Sequence, residues 1–202
     1  HERNILVVIP GKDRSRAVIM ADHYDTAYME DEFSNNNRAR LAAKGADDNF
    51  SATATLLQAA PVFLELSKEG CLAHDVWLVH LTGEEFPADC MGARHLAQAM
   101  VEGTIKLHLQ DNSEVDLSNI RIVGVYVLDM IAHNLESDQN VFQISPGRSV
   151  NSLHLAYQAH VANLLWNAWA TEWNRTERKS KGIGKRSSDP HRIPDIALYP
   201  HL

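Results

Sequence analysis

No stretch of this sequence approaches the roughly 18 consecutive apolar residues that a membrane-spanning helix needs, so no membrane span is expected. Basic residues are scarce too. The 19 Lys and Arg are outnumbered by 26 Asp and Glu, giving a formal charge of -7. Without a basic stripe to neutralise phosphates, nucleic acid is excluded as a main partner. The one basic cluster, residues 175–186, mixes Lys and Arg with Gly and Ser and reads as a solvated loop. Only two cysteines are present, Cys71 and Cys90, and they lack CxxC spacing. Whether they are free or paired is open, and they do not fix a redox compartment. No signal peptide is visible, but the chain opens on His1 rather than Met and reads as a processed or excised piece. Localisation is open, with a lean toward a secreted or periplasmic setting.

What is present is ordinary globular composition, 45% apolar and 22% charged. At 202 residues the expectation is a single domain over residues 1–202, open to truncation at both ends. Residues 4–9 and 16–21 are Val- and Ile-rich and are separated by Pro10 and Gly11, which predicts two strands and a turn. Residues 26–44 are polar and Asn-rich and read as a long loop. Leu56, Leu57, Ala60, Phe63 and Leu64 fall at helical spacing within residues 51–68, with Pro61 expected to kink or split the helix and Gly70 to stop it. Strands are predicted at 75–81, 120–128 and 196–199, and helices at 92–101 and 151–173. The last helix carries Leu153, Tyr157, Val161, Leu164, Leu165 and Ala168 on one side, and Trp166, Trp169 and Trp173 form a packing stripe that is the first suspect for any dimer contact. Oligomeric state is unknown. Strands alternating with helices predict an α/β domain with a mostly parallel sheet.

The informative pattern is at the strand ends. His23 and Asp25 follow the second strand, Glu84 and Glu85 the Trp77 strand, and Asp129 the Val125 strand. In open parallel sheets these ends face one crevice, which Asp47 and Asp48 in the following loop would share. Carboxylates gathered that closely repel unless cations sit among them. Mixed imidazole and carboxylate donors suit zinc, whereas calcium or magnesium prefers oxygen alone. Asp25, two residues beyond His23, is placed to accept a hydrogen bond from the far ring nitrogen and hold the tautomer. His80, inside an apolar strand, reads as a packed core residue, and His74 at its start as exposed.

Residues 21–26 (ADHYDT), 45–51 (GADDNFS), 82–86 (TGEEF) and 128–130 (LDM) resemble the clan MH zinc exopeptidases, which include bacterial leucyl aminopeptidases, aminopeptidase S and the glutamate carboxypeptidase II group. The resemblance runs over most of the chain. It implies a three-layer αβα sandwich around a mixed, mostly parallel sheet, and a zinc-dependent aminopeptidase acting on a peptide substrate with two Zn2+ per chain. It makes Asp47 the bridging ligand, His23 and Asp129 the partners at one ion, and Glu85 with a late histidine those at the other. It makes Glu84 the general base, Asp25 its catalytic companion behind His23, and the Asp47–Asp48 peptide bond cis. The family's Ser-Asp-His run is interrupted here by Pro190, after Ser188 and Asp189. His191 is nonetheless assigned as the late ligand because residues 193–198 resemble the segment that normally follows, with His201 in reserve. A glutaminyl cyclase-like enzyme with one zinc, or a non-catalytic peptidase-like binding domain, are the alternatives.

Overall fold

The computed structural model describes residues 3–29, 41–132, 141–181 and 195–198. The chain divides into two compact units, His1–His133 and Asn134–Leu202.

The first unit is built on four strands, β1 (Ile5–Ile9), β2 (Asp13–His23), β5 (His74–Leu81) and β8 (Arg121–Val127), in the order β1-β5-β2-β8. The pairs β2–β5 and β2–β8 are parallel, while β1 runs antiparallel to β5. The sheet is therefore mixed and mostly parallel. The tight turn at Pro10 and Gly11 explains the antiparallel start. Gly11 packs so closely on the His74 backbone that a Cβ there would overlap it.

Helices flank both faces because the central strands are apolar on both. On one face Ala17, Ile19 and Ala21 of β2 and Trp77, Val79 and Leu81 of β5 meet Ala93, Leu96, Ala99 and Met100 of α2 (Met91–Glu102). On the other, Val76, Leu78 and Met20 meet Leu56, Ala60 and Phe63 of α1 (Phe50–Lys68). The alternation follows from the two-residue period of a strand, and burying each large apolar side chain contributes about 1.5–3 kcal/mol. This gives the αβα layering within the unit. His80 lies on the α1 face among these residues, 2.8 Å from Asp22 on the neighbouring strand, and both are buried.

Some expectations need correcting. Pro61 does not split α1, which is continuous from Phe50 to Lys68. Pro61 and Leu57, whose carbonyl loses its helical donor, both face solvent, where water can satisfy it. His74 is half-buried rather than exposed. The polar segment expected as one loop contains a small antiparallel pair, β3 (Tyr28–Met29) with β4 (Leu41–Ala42). A hairpin of β6 (Lys106–His108) and β7 (Glu114–Asp116) was not expected, since each strand carries a single apolar residue, Leu107 or Val115, too few to set a period.

In the second unit, β9 (Val141–Ile144) pairs in parallel with β10 (Asp195–Leu198), alongside α3 (Val150–Lys181). The helix takes in the first part of the basic segment expected as loop. Up to residue 170, its buried residues are Ala156, Asn163, Asn167 and Ala170, whereas Leu153, Tyr157, Leu164 and Leu165 are exposed, the reverse of the expected side. Asn163 and Asn167, one turn apart, are joined by a 3.2 Å hydrogen bond that the Asn167 amide donates to Asn163 Oδ1. Trp166 and Trp169 touch each other, with ring centroids 4.9 Å apart, and both are about half exposed, 46% and 50%.

Candidate metal centre

The parallel strands β2, β5 and β8 end side by side, and the segments leaving them deliver acidic side chains to one place. His23 is the last residue of β2 and is buried. Around its Nε2 stand Asp48 Oδ1 at 3.1 Å, Asp129 Oδ1 at 3.5 Å and Glu84 Oε2 at 4.0 Å. Two overlapping donor groups result, His23 with Asp48 and Asp129, and His23 with Glu84 and Glu85.

Asp25 holds the turn after β5. Its two carboxylate oxygens accept the Glu84 and Glu85 backbone N–H groups at 3.2 and 3.1 Å. Oδ1 also lies 3.5 Å from His23 Nδ1. One carboxylate thus ties the GEE turn to the histidine. Glu84 is engaged from its far side by Cys90, whose Sγ donates to Oε1 at 3.4 Å. Burial and the neighbouring Glu84 hold that thiol above its ordinary pKa, so it stays protonated and able to donate.

The 47–51 segment is laced to the chain leaving β8. The Asn49 side chain donates to Leu128 O at 3.0 Å and accepts from Met130 N at 3.2 Å. Ser51 Oγ accepts from Ile131 N at 3.1 Å and donates to Asp47 O at 2.7 Å. Asp47 Oδ1 accepts the Ala132 N–H at 2.9 Å.

That last bond corrects the sequence reading. The loop carboxylate beside His23 belongs to Asp48, not Asp47, because the Asp47 side chain is turned to the 130–132 backbone. The cis peptide bond falls one residue later as well, at Asp48–Asn49. His23, Glu84, Glu85 and Asp129 are brought together, with Asp25 directly behind them. His191 and His201 lie outside the described residues. Sequence reasoning placed both Asp47 and Asp48 in the crevice but gave the ligand role to Asp47, and it found no role for Asn49 or Cys90. Asn49 sits where a helix N-cap is read, and it makes no cap bond.

The electrostatics are those of a cation site. Burial raises the Glu85 pKa, and Asp48 and Glu84 raise it further against the opposing pull of His23. For His23, burial acts downward, but Glu84, Asp129, Asp48 and Asp25 together outweigh it and the pKa is raised. Among the described residues, Glu85 Oε1 and His23 Nδ1 are buried without a hydrogen-bond partner. A tetrahedral zinc with bonds of about 2.0–2.1 Å sets its ligand atoms about 3.3 Å apart. The 3.1 and 3.5 Å separations from His23 Nε2 to Asp48 and Asp129 fit that edge. Imidazole plus carboxylate is also a donor set that zinc accepts.

Fold and site together define an α/β domain with a metal-type donor cluster at the ends of its parallel strands. The family model described as peptidase family M28 matches residues 4–175. The chain belongs to peptidase family M28. No curated protein sequence matches it. Among solved structures, a leucine aminopeptidase precursor from Bacteroides thetaiotaomicron VPI-5482 is 16% identical over 98% of this chain and 57% of its own, with a TM-score of 0.52. A glutaminyl cyclase from an Acidobacteriales bacterium is 20% identical over 98% of this chain and 58% of its own, with a TM-score of 0.42. A Zn-dependent exopeptidase from Parabacteroides distasonis ATCC 8503 is 16% identical over 96% and 56%, with a TM-score of 0.47. The chain spans a little over half the length of these structures. At such identities the likeness is one of fold. Among the described residues no helix is long and apolar enough to cross a membrane.

Proposed function

We propose that this chain is the metal-holding part of a zinc-dependent aminopeptidase that hydrolyses the N-terminal peptide bond of peptides, with two zinc ions per chain. The observation that carries the reading is the convergence of Asp48, Asp129 and Glu84 on the buried Nε2 of His23, in a chain of a peptidase family. In this reading His23 and Asp129 hold one ion, Glu85 and His191 the other, and Asp48 takes the shared position first assigned to Asp47. When bound, zinc supplies a Lewis acid and lowers the pKa of a coordinated water toward neutrality.

The chain's own groups do the rest. Glu84 is the general base. It takes a proton from the attacking water and returns it to the departing amine, a role that contributes about 10²–10⁴-fold in rate. The Cys90 thiol on Oε1 leaves Oε2 as the oxygen toward His23 and the reacting water. Asp25 stands 3.5 Å from His23 Nδ1 and fixes the backbone of both glutamates, so the base and one ligand keep a common frame.

The test is hydrolysis of aminoacyl-nitroanilides by the wild-type protein, with and without a chelator, and by Glu84→Gln. Chelation should abolish activity and zinc should restore it, while Glu84→Gln should lose about 10²–10⁴-fold and keep its zinc. Full activity in Glu84→Gln would overturn the assignment of the base. A stoichiometry of one zinc would move the reading to a single-zinc enzyme of the glutaminyl cyclase kind.

A further inference from the structure

We propose that Asn49 is a positioning residue that sets Asp129 against His23 and Asp48, and so governs the metal position formed by those three more strongly than the one that includes Glu85. This rests on the zinc reading of the site and names a residue that controls part of it.

Asn49 is 1% exposed. Its amide is divided across the two peptide groups that flank Asp129, donating to the carbonyl on one side and accepting the N–H on the other. Two bonds of opposite polarity, to the residues just before and just after the ligand, restrain the Asp129 backbone in both position and rotation. The carboxamide offers a donor and an acceptor on separate atoms that can reach both peptide groups at once, whereas a carboxylate at this position would only accept.

Asp129 needs such restraint. The β8 strand ends at Val127, and the next bond to the sheet, Leu128 N–H to Ala21 O at 2.8 Å, is made before Asp129. Met130 then takes a φ of +47°, a conformation unfavourable for a side chain of its size. The segment therefore leaves the ladder in a strained turn that hydrogen bonds from residues 47, 49 and 51 hold down. Because Asn49 directly follows Asp48, the same residue sets the spacing of the two carboxylates that approach His23 Nε2. Glu85 is placed differently, through Asp25 and the backbone of the GEE turn, with no bond to Asn49.

The inference is tested with Asn49→Ala and Asn49→Asp in two measurements. In the first, zinc-stripped protein is titrated with zinc against a chelating indicator. The zinc position that includes Asp129 should weaken about 10- to 100-fold, the range for loss of a group that holds a metal ligand, while the other, which shares only Asp48 with it, weakens less. In the second, amide hydrogen exchange is followed in the zinc-free protein, where Met130 and its neighbour Ile131 should lose protection in Asn49→Ala, which removes the Met130 acceptor, and less in Asn49→Asp, whose carboxylate can still accept that N–H. Ser51→Ala, which removes the Ile131 bond and the bond to the Asp47 carbonyl but neither bond of the Asn49 amide, should shift both readouts in the same direction by less, and serves if the Asn49 variants do not fold. Equal weakening of both positions, or unchanged zinc affinity in a folded variant, overturns the proposal. If wild-type protein takes up no zinc, the metal reading itself fails, and exchange at Met130 still decides whether Asn49 holds this turn: unchanged protection overturns that.

Discussion

Asp25 offers the sharpest single perturbation, because one carboxylate serves two backbone donors and a histidine. In Asp25→Ala the Glu84 and Glu85 N–H groups lose acceptors at 3.2 and 3.1 Å, and His23 Nδ1 loses its neighbour at 3.5 Å. A hydrogen bond to a charged group contributes about 1.5–3 kcal/mol. These two are long and Asp25 is a quarter exposed, so the lower figure applies to each, and the 3.5 Å contact adds little. The expected loss is about 3 kcal/mol, measured by urea denaturation of zinc-free protein. Asp25→Asn keeps one acceptor oxygen and should lose about half as much. Because the same bonds fix the base and a ligand, zinc affinity and kcat should fall together, by about 10- to 100-fold in affinity. A loss below about 0.5 kcal/mol in Asp25→Ala, the level of an ordinary surface substitution, would refute the idea that this carboxylate organises the turn.

Asp75 has no part in the site and tests the account of the fold. Its fully buried carboxylate accepts the Gly11 N–H at 2.8 Å and meets Arg14 Nε at 2.7 and 2.9 Å. Arg14 is largely exposed, so most of the contribution comes from the Gly11 amide. Asp75→Ala should cost about 1.5–3 kcal/mol in chemical denaturation and leave zinc binding unchanged. The site should also show in the pH dependence of zinc-free protein. Folding raises the pKa of both His23 and Glu85, so each contributes stability that is full below its unfolded value, 6.5 and 4.5, and is lost as pH rises through the folded one. The melting temperature of zinc-free protein should fall as pH rises above 6.5, while zinc, which needs both groups deprotonated, should stabilise increasingly over the same range. A zinc-free melting temperature that rises there would contradict the cause assigned to these shifts.

The strand-end acids were legible because each follows an apolar run: a parallel sheet gathers its carboxyl ends, and that much needs only a period-two pattern and a stop. The choice between Asp47 and Asp48 was not legible. The two are chemically identical neighbours, and what separates them is a hydrogen bond from Ala132, 85 residues away in sequence. Asn49 was hidden for a similar reason, since its position before a helix suggests a cap while its partners lie at the end of β8. In α3 the periodic large apolar residues pointed to one side, but the buried positions are alanines and a mutually bonded asparagine pair. Hydrophobic spacing reads side-chain size and cannot weigh polar groups that bond to each other.

The central claim is that Asp48, Asp129 and His23 hold one ion between them. The most direct measurement is a crystal of the zinc-loaded protein examined at the zinc absorption edge. An anomalous peak should lie about 2.0–2.2 Å from His23 Nε2 and from one oxygen each of Asp48 and Asp129. A peak ligated by Asp47 with Asp48 turned away, or no peak beside His23, would contradict it.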